Sequence, residues 1–283
     1  MNFNDLIWEE NFSCLTLTGQ GVRNFLHGQT TANIKKAASN EFIRCCWLST
    51  KGQIRCLVEI LLNENGADIL VLSGDINDLS EGFKRVIFPA DKVKIESIKL
   101  IKRVQKLSLD KSWKQLDANW VSREESCPDQ FKYLNKATIE EYSKWRFLQG
   151  YIFEPGPINI DINPFEIGIS DLISSDKGCY LGQETMARIM KNSSVIKEIR
   201  YWECKDYVPN EKQILIQRDS SSENHPKNAG YIISSINLRD GNSCGLAMIR
   251  SNYLKETQLF TSDQVKIISI SVPIGFSSLT DKN

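Results

Sequence analysis

The 283-residue chain has only two histidines, His27 and His225, and none of its eight cysteines belongs to a Cys-x-x-Cys pair. These absences argue against a zinc site of the usual spacing, and they fit a protein whose thiols stay reduced. Neither histidine is expected to act in catalysis or to bind a metal, because the two are far apart in sequence and His225 lies in a polar loop beside a proline.

No run of about 18 uninterrupted apolar residues occurs, so we expect no transmembrane helix. Residues 1–10 are acidic and lack the basic start and apolar core of a signal peptide, which predicts a cytoplasmic protein. Basic and acidic residues number 35 each, and a neutral chain is not expected to coat nucleic acid by charge. The 41% of hydrophobic residues can bury a large core, and the length suggests two domains.

The hydrophobic pattern predicts an α+β fold. Strands are predicted at 13–18, 43–48, 54–62, 68–72 and 93–98, with helices at 22–26 and 75–87. We interpret this as strand, helix, strand, strand, helix, strand, the order of a ferredoxin-like unit. No element is predicted over 106–135, which is polar and weakly periodic, and a helix over 137–148 should place Tyr142, Trp145 and Leu148 on one face.

The C-terminal part carries strands and turns only. Strands are predicted at 199–202, 214–216, 229–233, 244–249 and 265–270, a pattern typical of a small β-barrel or sandwich. We therefore predict an α+β region over residues 1–195, divisible near residue 105, and a β-domain over 196–283.

The most informative segment is an octapeptide, Lys177-Gly178-Cys179-Tyr180-Leu181-Gly182-Gln183-Glu184. Glycines on both sides of its centre suggest a sharp turn or a close approach of the backbone to another group. A cysteine just before a helix N-terminus, two residues after a lysine, is placed where its thiolate would be favoured.

This octapeptide strongly resembles the signature Lys-Gly-Cys-Tyr-x-Gly-Gln-Glu of the YgfZ-type folate-binding proteins, which are relatives of the glycine-cleavage T-protein, an aminomethyltransferase. Four other segments resemble parts of the same family: residues 25–33 (with Asn33 in place of the usual acid), 47–52, 145–150 and 245–250. The resemblance implies ferredoxin-like α+β units, a C-terminal β-barrel and a central hole that holds tetrahydrofolate. It also implies a role in maintaining iron–sulfur enzymes, including some that modify tRNA.

The resemblance also suggests site residues. Cys179 and Lys177 are expected to form the reactive pair, and no metal site is predicted. Residues expected to bind folate are Gln29, Thr31, Arg146, Tyr180, Gln183 and Glu184. Each has a plainer alternative: a structural thiol, a solvated lysine, packing, helix capping or a surface ion pair. The thiol could coordinate iron transiently, exchange with a disulfide or attack a folate-borne one-carbon unit, and these alternatives stay open.

Three functions are consistent with these features. The first is a folate-binding accessory protein whose partners are iron–sulfur enzymes or assembly proteins, with an indirect effect on tRNA modification. The second is a folate-dependent aminomethyltransferase or demethylase, and the third is an interaction module without folate. The first is favoured because Leu148 stands where the T-protein has a glutamate that contacts the pterin. Whether the protein is itself an enzyme stays open.

Overall fold

A computed structural model describes residues 3–121, 128–192, 195–217, 226–263 and 266–279 of the chain. His225 and Cys127 lie outside these residues, as does Val265, the first residue of the last predicted strand. None of the helices in the described part has the length and apolar character that crossing a membrane requires.

The first 192 residues combine four helices with the strands of one sheet. The elements are β1 (Leu6–Thr18), α1 (Val22–Gln29), β2 (Phe42–Leu48), β3 (Ile54–Asn63), β4 (Gly66–Ser73), α2 (Ile76–Lys84), β5 (Lys94–Lys106), β6 (Ala118–Val121), β7 (Asn135–Lys136), α3 (Ile139–Gln149) and α4 (Gln183–Asn192). The sheet has the strand order β2-β3-β4-β1-β5-β6, and the short β7 pairs with β1 in parallel. The strands β2, β3 and β4 lie between α1 and α2, as predicted at 43–48, 54–62 and 68–72, which is one strand more than the ferredoxin-like order has there.

Successive side chains of the strands point to opposite faces of this sheet, and each face is covered. Cys14 and Cys46 face the core formed with residues 107–186 and part of the C-terminal region, whereas Leu15 and Cys45 face the core beneath α1 and α2. This alternation follows from the period of two along a strand. The cysteines of β1 and β2 are therefore core residues on both faces.

The sheet curls until its two ends meet through side chains. The rings of Phe42 on β2 and Trp120 on β6 lie 5.0 Å apart. Inside the curl, the fully buried Glu59 on β3 accepts two hydrogen bonds of 3.1 Å from Arg103, one of 2.7 Å from Arg44 and one of 2.7 Å from the Trp120 indole. A buried carboxylate needs such pairing, because an unpaired buried charge is very costly.

The C-terminal strands close into a barrel with the order β10-β11-β8-β13-β12-β9. These strands are β8 (Lys197–Lys205), β9 (Ile214–Gln217), β10 (Lys227–Asn237), β11 (Asn242–Arg250), β12 (Gln258–Thr261) and β13 (Ile267–Ser271). Trp202 and other inward residues fill the barrel, while Ile199, Tyr201 and Leu246 pack against the main core of the rest of the chain. The predicted fold class, α+β units followed by a small C-terminal barrel, is confirmed; the domain boundary at residue 195 stays a prediction.

Candidate functional site

Lys177 anchors the octapeptide to the end of α1. Its side chain is 8% exposed, and Nζ donates hydrogen bonds to the carbonyl oxygens of His27 (2.5 Å), Thr30 (2.6 Å) and Ala32 (2.8 Å). Burial lowers the pKa of Lys177 to about 8, while the carbonyls and the negative end of the α1 dipole act in the opposite direction by favouring the ammonium form. The ammonium group therefore fixes two backbone segments to each other.

The second glycine of the octapeptide packs against the turn between β2 and β3. Gly182 has a φ of +84°, and a Cβ on it would lie 2.7 Å from the carbonyl oxygen of Ser49. Gly52 in the same turn has a φ of +75°, and a Cβ there would lie 2.6 Å from the end of Met186 on α4. A side chain at Gly178 would meet nothing within 4 Å. The predicted close backbone approach thus holds for Gly182 and not for Gly178.

Cys179 differs from the other cysteines that the structure describes. Its side chain is exposed, in the loop between Lys177 and the start of α4, whereas Cys14, Cys45, Cys46, Cys56, Cys204 and Cys244 are buried. Burial raises the pKa of each of these six thiols, to about 12 for Cys45 and Cys56. The loop therefore presents a single accessible thiol among the described residues.

The other predicted residues of this region differ in accessibility. Thr31 is fully buried. Its hydroxyl donates to the carbonyl of Leu172 (2.8 Å) and accepts from the amide of Cys46 (3.0 Å), so the buried group is satisfied. Tyr180 is 8% exposed in the main core, with the Lys177 Nζ 4.8 Å from its ring centre. Both have the contacts that a structural residue would have.

Gln183 and Glu184 begin α4. The Gln183 side chain accepts a hydrogen bond of 3.3 Å from the amide of Tyr180, which closes the turn into the helix. Glu184 is exposed in the first turn, where an acidic side chain complements the helix dipole. Gln29, at the end of α1, is half-buried, and its side chain makes no hydrogen bond within the described residues.

Arg146, on α3, lies in a separate cluster of aromatic and charged side chains. Its guanidinium donates to the Glu154 carboxylate at 2.7 Å and lies 5.7 Å from the ring centre of Tyr142 and 5.9 Å from that of Tyr151. The Tyr142 ring stacks on Trp8 with 4.0 Å between centres. Within the described residues, no hydrogen bond, ion pair or ring contact joins Arg146 to the octapeptide. The predicted site residues therefore form two groups.

Four members of the Arg146 cluster were not predicted from the sequence: Trp8, Glu10, Tyr151 and Glu154. Trp8 and Glu10 lie two residues apart on β1, so they share a face, and the Trp8 indole donates to the Glu10 carboxylate at 3.2 Å. Burial raises the pKa of Glu10, and Arg146 acts against that shift. The Tyr142 and Tyr151 hydroxyls make no hydrogen bond within the described residues. The sequence carried no clear signal for Trp8 and Glu10, because residues 6–12, Leu-Ile-Trp-Glu-Glu-Asn-Phe, do not alternate between apolar and polar side chains.

In the described part of the chain, no three His, Cys, Asp or Glu side chains converge as metal ligands would. Leu148, which takes the place of the T-protein glutamate in the resemblance, is half-buried and packs against the main core. A leucine side chain offers no hydrogen bond to a pterin edge.

Comparison with known proteins identifies the architecture. No protein-family model matches the chain, and a search of curated proteins finds no significant match. Among solved structures, the glycine cleavage system aminomethyltransferase T from Bartonella henselae superimposes with a TM-score of 0.71, over 98% of this chain and 88% of that one, at 9% sequence identity. The chain has the fold of that aminomethyltransferase T. At this identity the likeness establishes the fold alone.

Proposed function

We propose that the protein binds tetrahydrofolate and presents the Cys179 thiol to iron–sulfur enzymes or their assembly proteins, with an indirect effect on tRNA modification. One observation carries this proposal: Cys179 is exposed in a loop fixed by Lys177 and Gly182, while the other described cysteines are buried. A single thiol does not hold a cluster, which takes four ligands as a rule, so a partner has to supply the others. The proposed role is that of an accessory protein acting with such partners.

The residues around Arg146 fit tetrahydrofolate. Arg146 would pair with a carboxylate of the glutamyl tail, since a guanidinium matches a carboxylate in shape and charge. Its present partner, Glu154, is 70% exposed, so a ligand carboxylate could take the place of the Glu154 carboxylate at the buried Arg146. Tetrahydrofolate itself would supply a carrier for one-carbon units.

The runner-up is a folate-dependent aminomethyltransferase or demethylase. The fold of the aminomethyltransferase T favours this second function. The leucine at position 148 favours the first, because a leucine cannot bind the pterin edge as the T-protein glutamate does. The transferase hypothesis predicts one-carbon transfer activity that is retained when Cys179 is replaced by alanine.

Tetrahydrofolate is expected to raise the melting temperature by several degrees when its concentration is far above the dissociation constant. At about 100 times that constant, binding stabilises the native state by about 2.7 kcal/mol. Arg146→Met should lose most of that shift. Arg239→Met is the matched control, since Arg239 also forms an ion pair with a glutamate, Glu140, at 3.0 Å. An unchanged melting temperature at ligand well above micromolar would contradict both folate-dependent functions.

Replacement of Cys179 by alanine is expected to abolish support of a tRNA-methylthiolating or other iron–sulfur enzyme in cells that depend on this protein. The side chain is exposed, so the variant should fold and keep the full tetrahydrofolate shift in melting temperature. That shift, measured on the same variant, separates loss of the thiol from loss of the fold. If the iron–sulfur enzyme keeps its full activity, the role proposed for Cys179 is wrong, and the result favours the aminomethyltransferase or demethylase function.

A further inference from the structure

A cavity of about 520 Å³ opens where the barrel meets the segment before it. Its lining includes Glu166 from that segment, Lys197 from β8, Tyr231 from β10, and Met248 and Arg250 from β11. The amide of Ile199 donates to the carbonyl of Glu166 at 2.8 Å, which holds the segment against β8. The volume is within the range of about 300–1,000 Å³ typical of small-molecule pockets. None of the residues proposed for folate or for the thiol chemistry lines it.

Two cations face each other at this cavity. Lys197 and Arg250 are directly opposite in the antiparallel pairing of β8 with β11, and like charges in that position destabilise a sheet. Neither forms an ion pair within the described residues, and Arg250 is exposed. The Lys197 Nζ lies 5.9 Å from the centre of the Tyr231 ring. Two positively charged side chains therefore lie at this cavity, and no ion pair within the described residues neutralises either of them.

The remaining walls combine apolar surface with one carboxyl group. Met248 is buried and Tyr231 half-buried, so the thioether and the aromatic ring can take up an apolar body. Glu166 is 7% exposed; its Oε2 accepts from the amide of Asn163 at 3.0 Å, and its other oxygen accepts no hydrogen bond within the described residues. Burial raises the pKa of Glu166, and the Asn163 amide and Lys197 act against that shift. This carboxyl group is available to a hydrogen-bond donor.

We propose that this cavity binds an organic anion with a flat apolar body, whose acid group pairs with Lys197 and Arg250 and whose far end donates a hydrogen bond to Glu166. A guanidinium binds carboxylates and phosphates in two-pronged geometry, and the neighbouring ammonium adds a second charge. The body would lie against Tyr231 and Met248, which supply the apolar contact. Binding of the acid group would relieve the repulsion between Lys197 and Arg250 that the unliganded protein retains.

The test uses 6-hydroxy-2-naphthoate, which has an acid group, a flat body and a donor at the far end. Calorimetry on the full chain is expected to show binding, with at least tenfold weaker binding to Arg250→Gln and to Lys197→Gln. Lys255→Gln, a substitution of an exposed lysine outside the cavity, should bind as the wild type does. The neutral 6-hydroxy-2-naphthamide should not bind. A comparison with 6-hydroxy-2-naphthyl phosphate, which keeps the hydroxyl group at the far end, decides whether the cavity prefers a phosphate or a carboxylate.

A second readout separates a binding role from a structural one. Without ligand, Arg250→Gln removes a like-charge contact, so its melting temperature should equal or exceed that of the wild type. Saturation with tetrahydrofolate should leave probe binding unchanged, since the two sites share no residue. The proposal is overturned if neither acid binds the wild type at about 1 mM, if Arg250→Gln binds the probe as tightly as the wild type or melts at a lower temperature without ligand, or if tetrahydrofolate displaces the probe.

Discussion

Lys177→Met is expected to lower the free energy of unfolding by about 2–4 kcal/mol. The side chain is buried, and its ammonium donates to three carbonyl oxygens, of which those of His27 and Thr30 have no other hydrogen-bond donor within the described residues. Methionine fills a similar volume but leaves these carbonyls without a partner, and each buried unsatisfied group costs about 1–3 kcal/mol. Urea denaturation of the two proteins measures the difference.

The control for this prediction is Lys191→Met, which changes an exposed lysine of α4 and should alter stability by less than about 0.5 kcal/mol. The alkylation rate of Cys179 adds a functional readout. If Lys177 only anchors the octapeptide, the folded variant should alkylate at nearly the wild-type rate. A fully stable variant would refute the anchoring role, and a stable variant with much slower alkylation would instead favour direct activation of the thiol by the lysine.

Glu59→Gln is expected to have the largest effect on stability, a loss of about 3–5 kcal/mol. Glu59 is the common acceptor for Arg103, Arg44 and the Trp120 indole inside the curled sheet. A glutamine keeps the shape but leaves Arg103, which is 5% exposed, without a counter-charge. Breaking a buried pair on one side costs this much because the remaining charge stays buried and uncompensated. Glu81→Gln, in the exposed pair with Lys84, is the matched control and should cost less than about 1 kcal/mol.

The same carboxylate predicts a dependence of stability on pH. Burial by itself would raise the pKa of Glu59, but Arg103 and Arg44, with the hydrogen bonds from Arg103 and Trp120, lower it to about 2. Because this is below the ordinary value of about 4.3, the stabilisation is fully present above pH 4.3 and is lost as the pH falls toward 2; it amounts to about 3 kcal/mol. In Glu59→Gln this part of the acid dependence should disappear. An identical loss of stability in both proteins between pH 4.3 and 2 would contradict the assignment.

The strands and helices with a clear hydrophobic period were predictable from the sequence, and their ends were not. The prediction at 13–18 found only the second half of β1, because residues 6–12 mix charged and apolar side chains that face a partly polar interior. The segment 106–135 showed no period, since it contains the short β6 and turns of 3₁₀-helix whose positions depend on contacts with Glu59 and the main core. Such elements have too few residues for periodicity to identify them.

The sequence identified the octapeptide as part of the candidate site. It could not identify the members of the Arg146 cluster, which are far apart along the chain. Trp8 and Glu10 are about 130 residues from Tyr142 in the chain, and only the pairing of β1 with its neighbours and the docking of α3 bring them together. The barrel cavity has the same origin: Lys197 and Arg250 become neighbours through the register of β8 and β11.

The sequence by itself determined the α+β character, the C-terminal strands and the segment that carries Cys179, because periodicity and glycine placement act locally along the chain. The tertiary structure decided which of the named residues are accessible. It buried Thr31, Tyr180 and Lys177 and left Cys179 exposed, since burial depends on which distant segments pack together. Lys177 and Tyr180 therefore have contacts that hold the loop in place, and the Cys179 thiol is accessible to solvent.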